Sequence, residues 1–476
     1  MSFSEIMAYA IGIGMPITVV VFATIACIVG AVLVSSRPYI VLAGFCLVFF
    51  FFSGSSWGTL EATGRSIYGR GTGLVYFPLL LWGLLGGWLC IKVGQVFSGD
   101  RTVRQTPTIL YWFAGWTALL FCHVLWAMTT GIELKDALSA TGFSNIPWMG
   151  ILIMVMIASG TSETVVDRLS KSIVILAFGR SLFGLGRWVA FGGDPANAYQ
   201  NYGGVNVKIT FFDINDGLLC ALGLTISALY LLGEKQSERI GNMWKALYAF
   251  AALTCTLSIV LSYRRSEWGG LMLVALYIFL LLPRDYRLPV AVLGLPALFT
   301  GIVFVAIKRL GQTRGVSGGP LAFVYDLLPK SYGADDDRVL ELRYTLETIL
   351  NNPVAGVGAW GSYDGASRIA WQGNEAGGSF VHSGLLHIAL KSGMIGIALL
   401  TGVVVAFVVH VRSLPHDLSV PCKVLVAAGV AGLIFMIPDF LIGTPIPQVR
   451  TTQMIAFCAG LPYLVSAALT HKGVRA

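Results

Sequence analysis

Apolar and polar positions along this chain separate into long blocks instead of alternating. Apolar runs recur at 10–34, 38–53, 72–91, 107–128, 146–160, 172–192, 215–232, 246–262, 268–283, 288–306, 394–411, 421–437 and 451–470. Most are near the ~20 residues that a helix needs to cross a hydrocarbon core of roughly 30 Å. The runs at 38–53 and 146–160 are short for a crossing, and 172–192 carries Arg180 and Arg187. One interval breaks the pattern: Lys308 to about Phe380 is polar and Gly-rich, and leads into Val381-His382-Ser383-Gly384-Leu385-Leu386-His387. The pattern predicts an all-α polytopic integral membrane protein of about 12–13 transmembrane helices with one large, partly helical loop. It divides the chain into membrane helices over 1–307, a loop domain over 308–393 and C-terminal membrane helices over 394–476.

Composition strengthens this reading. The 476 residues are 56% hydrophobic and 12% charged, about half the charged share of a soluble protein. A membrane β-barrel would show segments of roughly ten residues with alternating polarity, and the sequence has none. Lys and Arg favour cytoplasmic loops. One set of alternate short loops holds fifteen of them, from Arg37 and Lys92 to Lys472 and Arg475. The other set holds seven: Arg65, Arg70, Lys135, Lys208, Arg264, Arg265 and Arg450. The 308–380 loop then faces outward and the C-terminus inward. The first apolar run lacks a basic leader and a cleavage-site pattern, so it reads as a retained helix. The eight cysteines all fall in or at the ends of apolar runs, which indicates neither a disulfide framework nor a zinc motif. The net charge of +8 is largely this loop bias, with no aromatic-interleaved basic patch for nucleic acid; anionic lipid head groups are the natural partner outside.

Four outward segments carry candidate chemistry. Residues 193–214 are rich in Asn, Tyr and Gly, suited to sugar hydroxyls and sugar faces or to an ordinary turn-rich loop, with Lys208 near the end. Tyr263-Arg264-Arg265-Ser266-Glu267-Trp268 places two arginines at a helix mouth, where they must be hydrated, paired or facing a polar cavity. Asp335-Asp336-Asp337 precede an amphipathic helix through Arg338 and Arg343 to Leu350, with Leu342, Leu346, Ile349 and Leu350 on one face and a stop at Asn352-Pro353. Helix capping explains the acidic triplet more simply than a metal does. Val354-Ala355-Gly356-Val357-Gly358 follows, a loop that lets backbone approach closely. His382 and His387 are five apart, about 140° around a helix, which rules out an i, i+4 metal pair.

The run Arg338…Arg343…Asn352-Pro353-Val354-Ala355-Gly356-Val357-Gly358, followed by His382…Leu386…Gly393-Met394-Ile395-Gly396, resembles the O-antigen ligase family. The Tyr263–Trp268 segment sits where that family has a Ser-Arg or Thr-Arg pair at a periplasmic helix mouth. The resemblance is strongest over about 260–410. It implies a metal-independent, cofactor-free, inverting glycosyltransferase of the bacterial inner membrane with its active site facing the periplasm. The implied donor is a glycan on undecaprenyl pyrophosphate; the acceptor is another glycan, for a polymerase, or lipid A core, for an O-antigen ligase. A flippase and a chain-length regulator are implied companions. By resemblance His382 is the catalytic base and Arg265 the helix-mouth arginine, with Arg264 next in register. A further family arginine falls at Lys208, for which Arg187 can substitute, and Arg338 and Arg343 are candidates for binding glycan or pyrophosphate. The long chain, and an N-terminal third with little family likeness, favour a polymerase. A lipid-glycan transporter competes, but such proteins often show internal repeats and midplane charges; here no repeat is evident, and most membrane-interior charge is confined to Arg180 and Arg187.

Overall fold

A computed structural model describes residues 107–139, 141–194, 208–233, 241–314, 334–366 and 380–471, with isolated positions before residue 43 and at 197. The expected crossings at 10–34, 38–53 and 72–91 lie outside the described residues. The rest is helical, without a strand among the described residues. The helices are α1 Thr108–Thr129, α2 Asn145–Ser159, α3 Glu163–Ala190, α4 Ile214–Leu232, α5 Asn242–Val260 and α6 Arg265–Leu281. A short helix, Arg284–Pro289, continues through a π-helical turn at Val290–Gly294 into α7 Leu295–Arg314. Then come α8 Ala334–Asn351, α9 Gly384–Ser413, α10 Val420–Ile442 and α11 Val449–His471. Eight helices among the described residues are long and apolar enough to cross a membrane. In lipid only a helix satisfies its own backbone polar groups, so these runs have no other stable form.

Most boundaries fall within a few residues of the apolar runs, with two departures. The helix expected at 172–192 begins at Glu163, and the one expected at 394–411 begins at Gly384, taking in the stretch up to Gly393 that the sequence reads as a helix leading into that span. Both gain a polar turn that hydropathy alone discounts.

α4 and α11 are the most enclosed helices, α7 and α9 the most peripheral. Small residues let the central helices approach closely, the usual means of association where lipid offers no hydrophobic drive. A Cβ at Gly270 of α6 would lie 2.4 Å from the Phe435 carbonyl of α10, and one at Gly429 of α10 would lie 2.6 Å from the Cys458 carbonyl of α11.

One end of the bundle gathers the segments expected to face outward. Asn145 of α2 donates to the Ile446 carbonyl at 2.9 Å, His387 of α9 bonds the Gly142 carbonyl at 3.0 Å, and Thr210 donates to the Ser258 carbonyl of α5 at 2.7 Å.

Candidate functional site

α9 is broken at Gly393, whose φ of 59° and ψ of −154° suit only glycine. The break exposes backbone that Asn352-Pro353-Val354-Ala355-Gly356-Val357 satisfies. Met394 N–H donates to the Pro353 carbonyl at 2.8 Å, Ile395 N–H to Val354 at 3.3 Å, and Val357 N–H to Leu390 at 2.9 Å. Contact is so close that a Cβ at Gly393 would lie 2.3 Å from the Val354 carbonyl, and one at Gly356 (φ 68°) 2.4 Å from the Leu390 carbonyl. Lys391, fully buried, donates to the Gly361 carbonyl at 2.5 Å, and Ala359 N–H donates to Nδ1 of His123 at 3.2 Å. The Gly-rich motif is thereby a lock that fixes the loop onto α9.

That lock seats α8 against α9, and α8 turns a polar row inward. Glu341, Thr345 and Thr348 are buried, while Val339, Leu342, Leu346 and Leu350 are exposed among the described residues. Ile349, expected on the same face as the leucines, is half-buried beside Tyr363, Val381 and Leu390. Thr348 donates to the Tyr344 carbonyl at 2.8 Å and accepts from Asp364 N–H at 2.9 Å. Glu341 meets His382, whose side chain is 23% exposed against 3% for the glutamate. Oε2 of Glu341 accepts from the His382 backbone N–H at 3.3 Å and lies 2.9 Å from Nδ1 of the ring. Tyr363 O–H donates to the other oxygen at 3.5 Å, and the Phe380 ring meets the imidazole edge-on. Ser383 caps α9 by accepting from Leu386 N–H at 3.3 Å. Glu341 has no sequence signature; the hint was a polar row at 341, 345 and 348, spaced to share a helix face.

A second cluster ties five helices together at the same end. Arg180 of α3 forks onto Asp216 of α4 at 2.9 and 3.1 Å, and both are fully buried. Arg450 of α11 reaches Asp213 at 2.5 Å and Asp216 at 3.4 Å. Arg264 meets Asp439 of α10 at 3.3 Å, Glu267 of α6 at 3.7 Å and the Phe212 carbonyl. Burial pushes the Asp213 carboxyl up, but Arg450, the Asn215 N–H and Arg264 outweigh it and hold the group below its ordinary value. Removing one partner of such a pair costs about 3–5 kcal/mol, because a charge is left buried alone. Beside Arg180 and Arg187, where the sequence placed most of the interior charge, Asp216, Glu267, Lys391 and Asp439 are also buried.

The remaining candidates fall around these clusters. Arg265 opens α6 half-buried. Arg187 pairs with Asp194 at 2.9 Å and donates to the Thr210 carbonyl at 2.6 Å; its Nε and Nη1 are buried without a partner among the described residues. Lys208 points outward, while its carbonyl accepts from the Trp188 indole at 3.0 Å. Arg338 is exposed one turn before Glu341 on α8, whereas Arg343 is exposed and paired with Glu347 at 2.9 Å. The His382 and arginine clusters adjoin through α10: Gly384 packs against Phe440 and Pro445, next to the Asp439 that holds Arg264. The side chains of Asp335–Asp337 lie outside the described residues.

An all-α, polytopic membrane protein with this polar cluster at one end is the class the structure defines. Within it, residues 250–401 match the family model for O-antigen ligase, the stretch where the resemblance is strongest. The match spans α6 with Arg264 and Arg265, α8, the Gly-rich lock and His382; Arg187, Lys208, Asp439 and Arg450 lie beyond it. It supports the ligase and polymerase function of that family in general terms. No curated protein matches the chain.

Proposed function

We propose that this protein transfers a glycan from undecaprenyl pyrophosphate to an acceptor sugar hydroxyl at the periplasmic face of the bacterial inner membrane, by inversion and without a metal. The observation that carries this reading is a partly exposed imidazole held by a buried carboxylate inside the O-antigen ligase match, at the start of α9, which packs against the α10 whose Asp439 holds Arg264. With Nδ1 engaged by Glu341, Nε2 takes the acceptor's hydroxyl proton as its oxygen attacks the anomeric carbon. The bond from that carbon to the phosphate oxygen breaks, and undecaprenyl pyrophosphate leaves with the electron pair. Fixed guanidinium groups stabilise the charge that develops on it. Arg265, half-buried at the start of α6, is the candidate for that role; Arg264, Arg187, Lys208, Arg338 and Arg343 are candidates for binding the glycan or its pyrophosphate.

The acceptor is another lipid-linked glycan, which makes the protein a polymerase, served by a flippase and a chain-length regulator. Loss of the gene then leaves single repeats on undecaprenyl and no long chains. Long chains that remain on undecaprenyl but are missing from lipid A core would identify a ligase instead. Donor stranded on the cytoplasmic face would identify a transporter.

A further inference from the structure

We infer that Glu341 is the positioning residue that holds His382 in the ring orientation and tautomer its role as base requires. The inference rests on the proposed role of His382 and adds a residue that neither the sequence nor the family match singles out. Glu341 grips His382 twice with one oxygen, at the backbone N–H (3.3 Å) and at Nδ1 (2.9 Å). The first contact fixes the chain just before the α9 cap. The second, to a carboxylate acceptor, requires the hydrogen on Nδ1 and so directs the basic lone pair to Nε2. The same carboxylate then stands against the imidazolium formed as the acceptor gives up its proton, and stabilises the charge where it develops. Packing around Glu341 points the same way. α8 buries Glu341, Thr345 and Thr348, and the hydrogen bonds of Glu341 and Thr348 run to His382, Tyr363 and Asp364. Tyr363 of the loop also bonds the carboxylate, through its hydroxyl.

The test compares full-length wild type, Glu341→Gln, Glu341→Asp and His382→Ala, purified into nanodiscs and supplied with undecaprenyl-linked glycan extracted from a strain lacking this gene. Glu341→Gln keeps the shape and removes the charge. It is expected to lower kcat on the order of 10²–10⁴-fold with KM little changed, and Glu341→Asp to recover part of the loss. Nitrogen NMR shifts of His382, assigned by their absence in His382→Ala, are expected to show the hydrogen on Nδ1 in wild type and a mixture of tautomers in Glu341→Gln. If His382→Ala is inactive while Glu341→Gln keeps wild-type kcat and tautomer, the positioning role is wrong and the base survives. If His382→Ala is itself active, the proposed function fails first.

Discussion

Replacing Gly393 by Ala tests the lock beneath the candidate site. The added methyl meets the Val354 carbonyl oxygen at 2.3 Å and its carbon at 2.5 Å, both backbone atoms that cannot swing aside. The φ of 59° and ψ of −154° are also closed to alanine; holding a non-glycine residue there costs about 1–3 kcal/mol. Relief requires moving 353–357 off α9, which surrenders the Met394–Pro353 and Ile395–Val354 hydrogen bonds, each worth about 0.5–1.5 kcal/mol. The whole penalty is on the order of 2–6 kcal/mol. Gly301 of α7 supplies the control, since nothing lies within 4 Å of its Cβ position and its φ is ordinary. Heating both variants in detergent and following the monodisperse fraction by size-exclusion chromatography reads the difference. Gly393→Ala should melt well below wild type and Gly301→Ala at or slightly above it. Equal melting of the two variants would refute the lock.

The two arginines at the mouth of α6 should separate into different phenotypes. Arg264→Ala removes the guanidinium that buried Asp439 and Glu267 pair with, and should cost about 3–5 kcal/mol of stability, seen in the same melting assay. Arg265→Ala should abolish transfer, with Arg265→Lys nearly as damaging because a lysine has no fork for phosphate oxygens; an active Arg265→Ala would return the pyrophosphate role to Arg264. Transfer should also continue at full rate in excess EDTA, and inhibition reversed by a divalent cation would make Asp335–Asp337 a metal site.

Hydropathy reads helices well because lipid leaves the backbone no alternative, and the run at 107–128 becomes Thr108–Thr129 almost unchanged. It reads partners poorly. Arg180 looked like a lone charge weakening a crossing, yet its partner Asp216 stands 36 residues away on another helix. The Gly-rich loop was legible as a place for close backbone approach, but not as the complement of a break at Gly393, since only the fold joins 353–357 to 390–395. The shared face of Leu342, Leu346, Ile349 and Leu350 was legible, but not that the polar row at 341, 345 and 348 turns inward and that Glu341 meets His382. His382 itself stood out through its place after the polar loop and through family resemblance, not through spacing.

The central claim is tested most directly by following undecaprenyl-linked glycan in a strain lacking this gene, complemented with wild type or with His382→Ala. Chain length is read on gels and lipid-linked species by mass spectrometry. The account predicts that His382→Ala, present in the membrane at wild-type level, accumulates lipid-linked donor as the deletion does and makes no long chains. Full complementation by His382→Ala would contradict it.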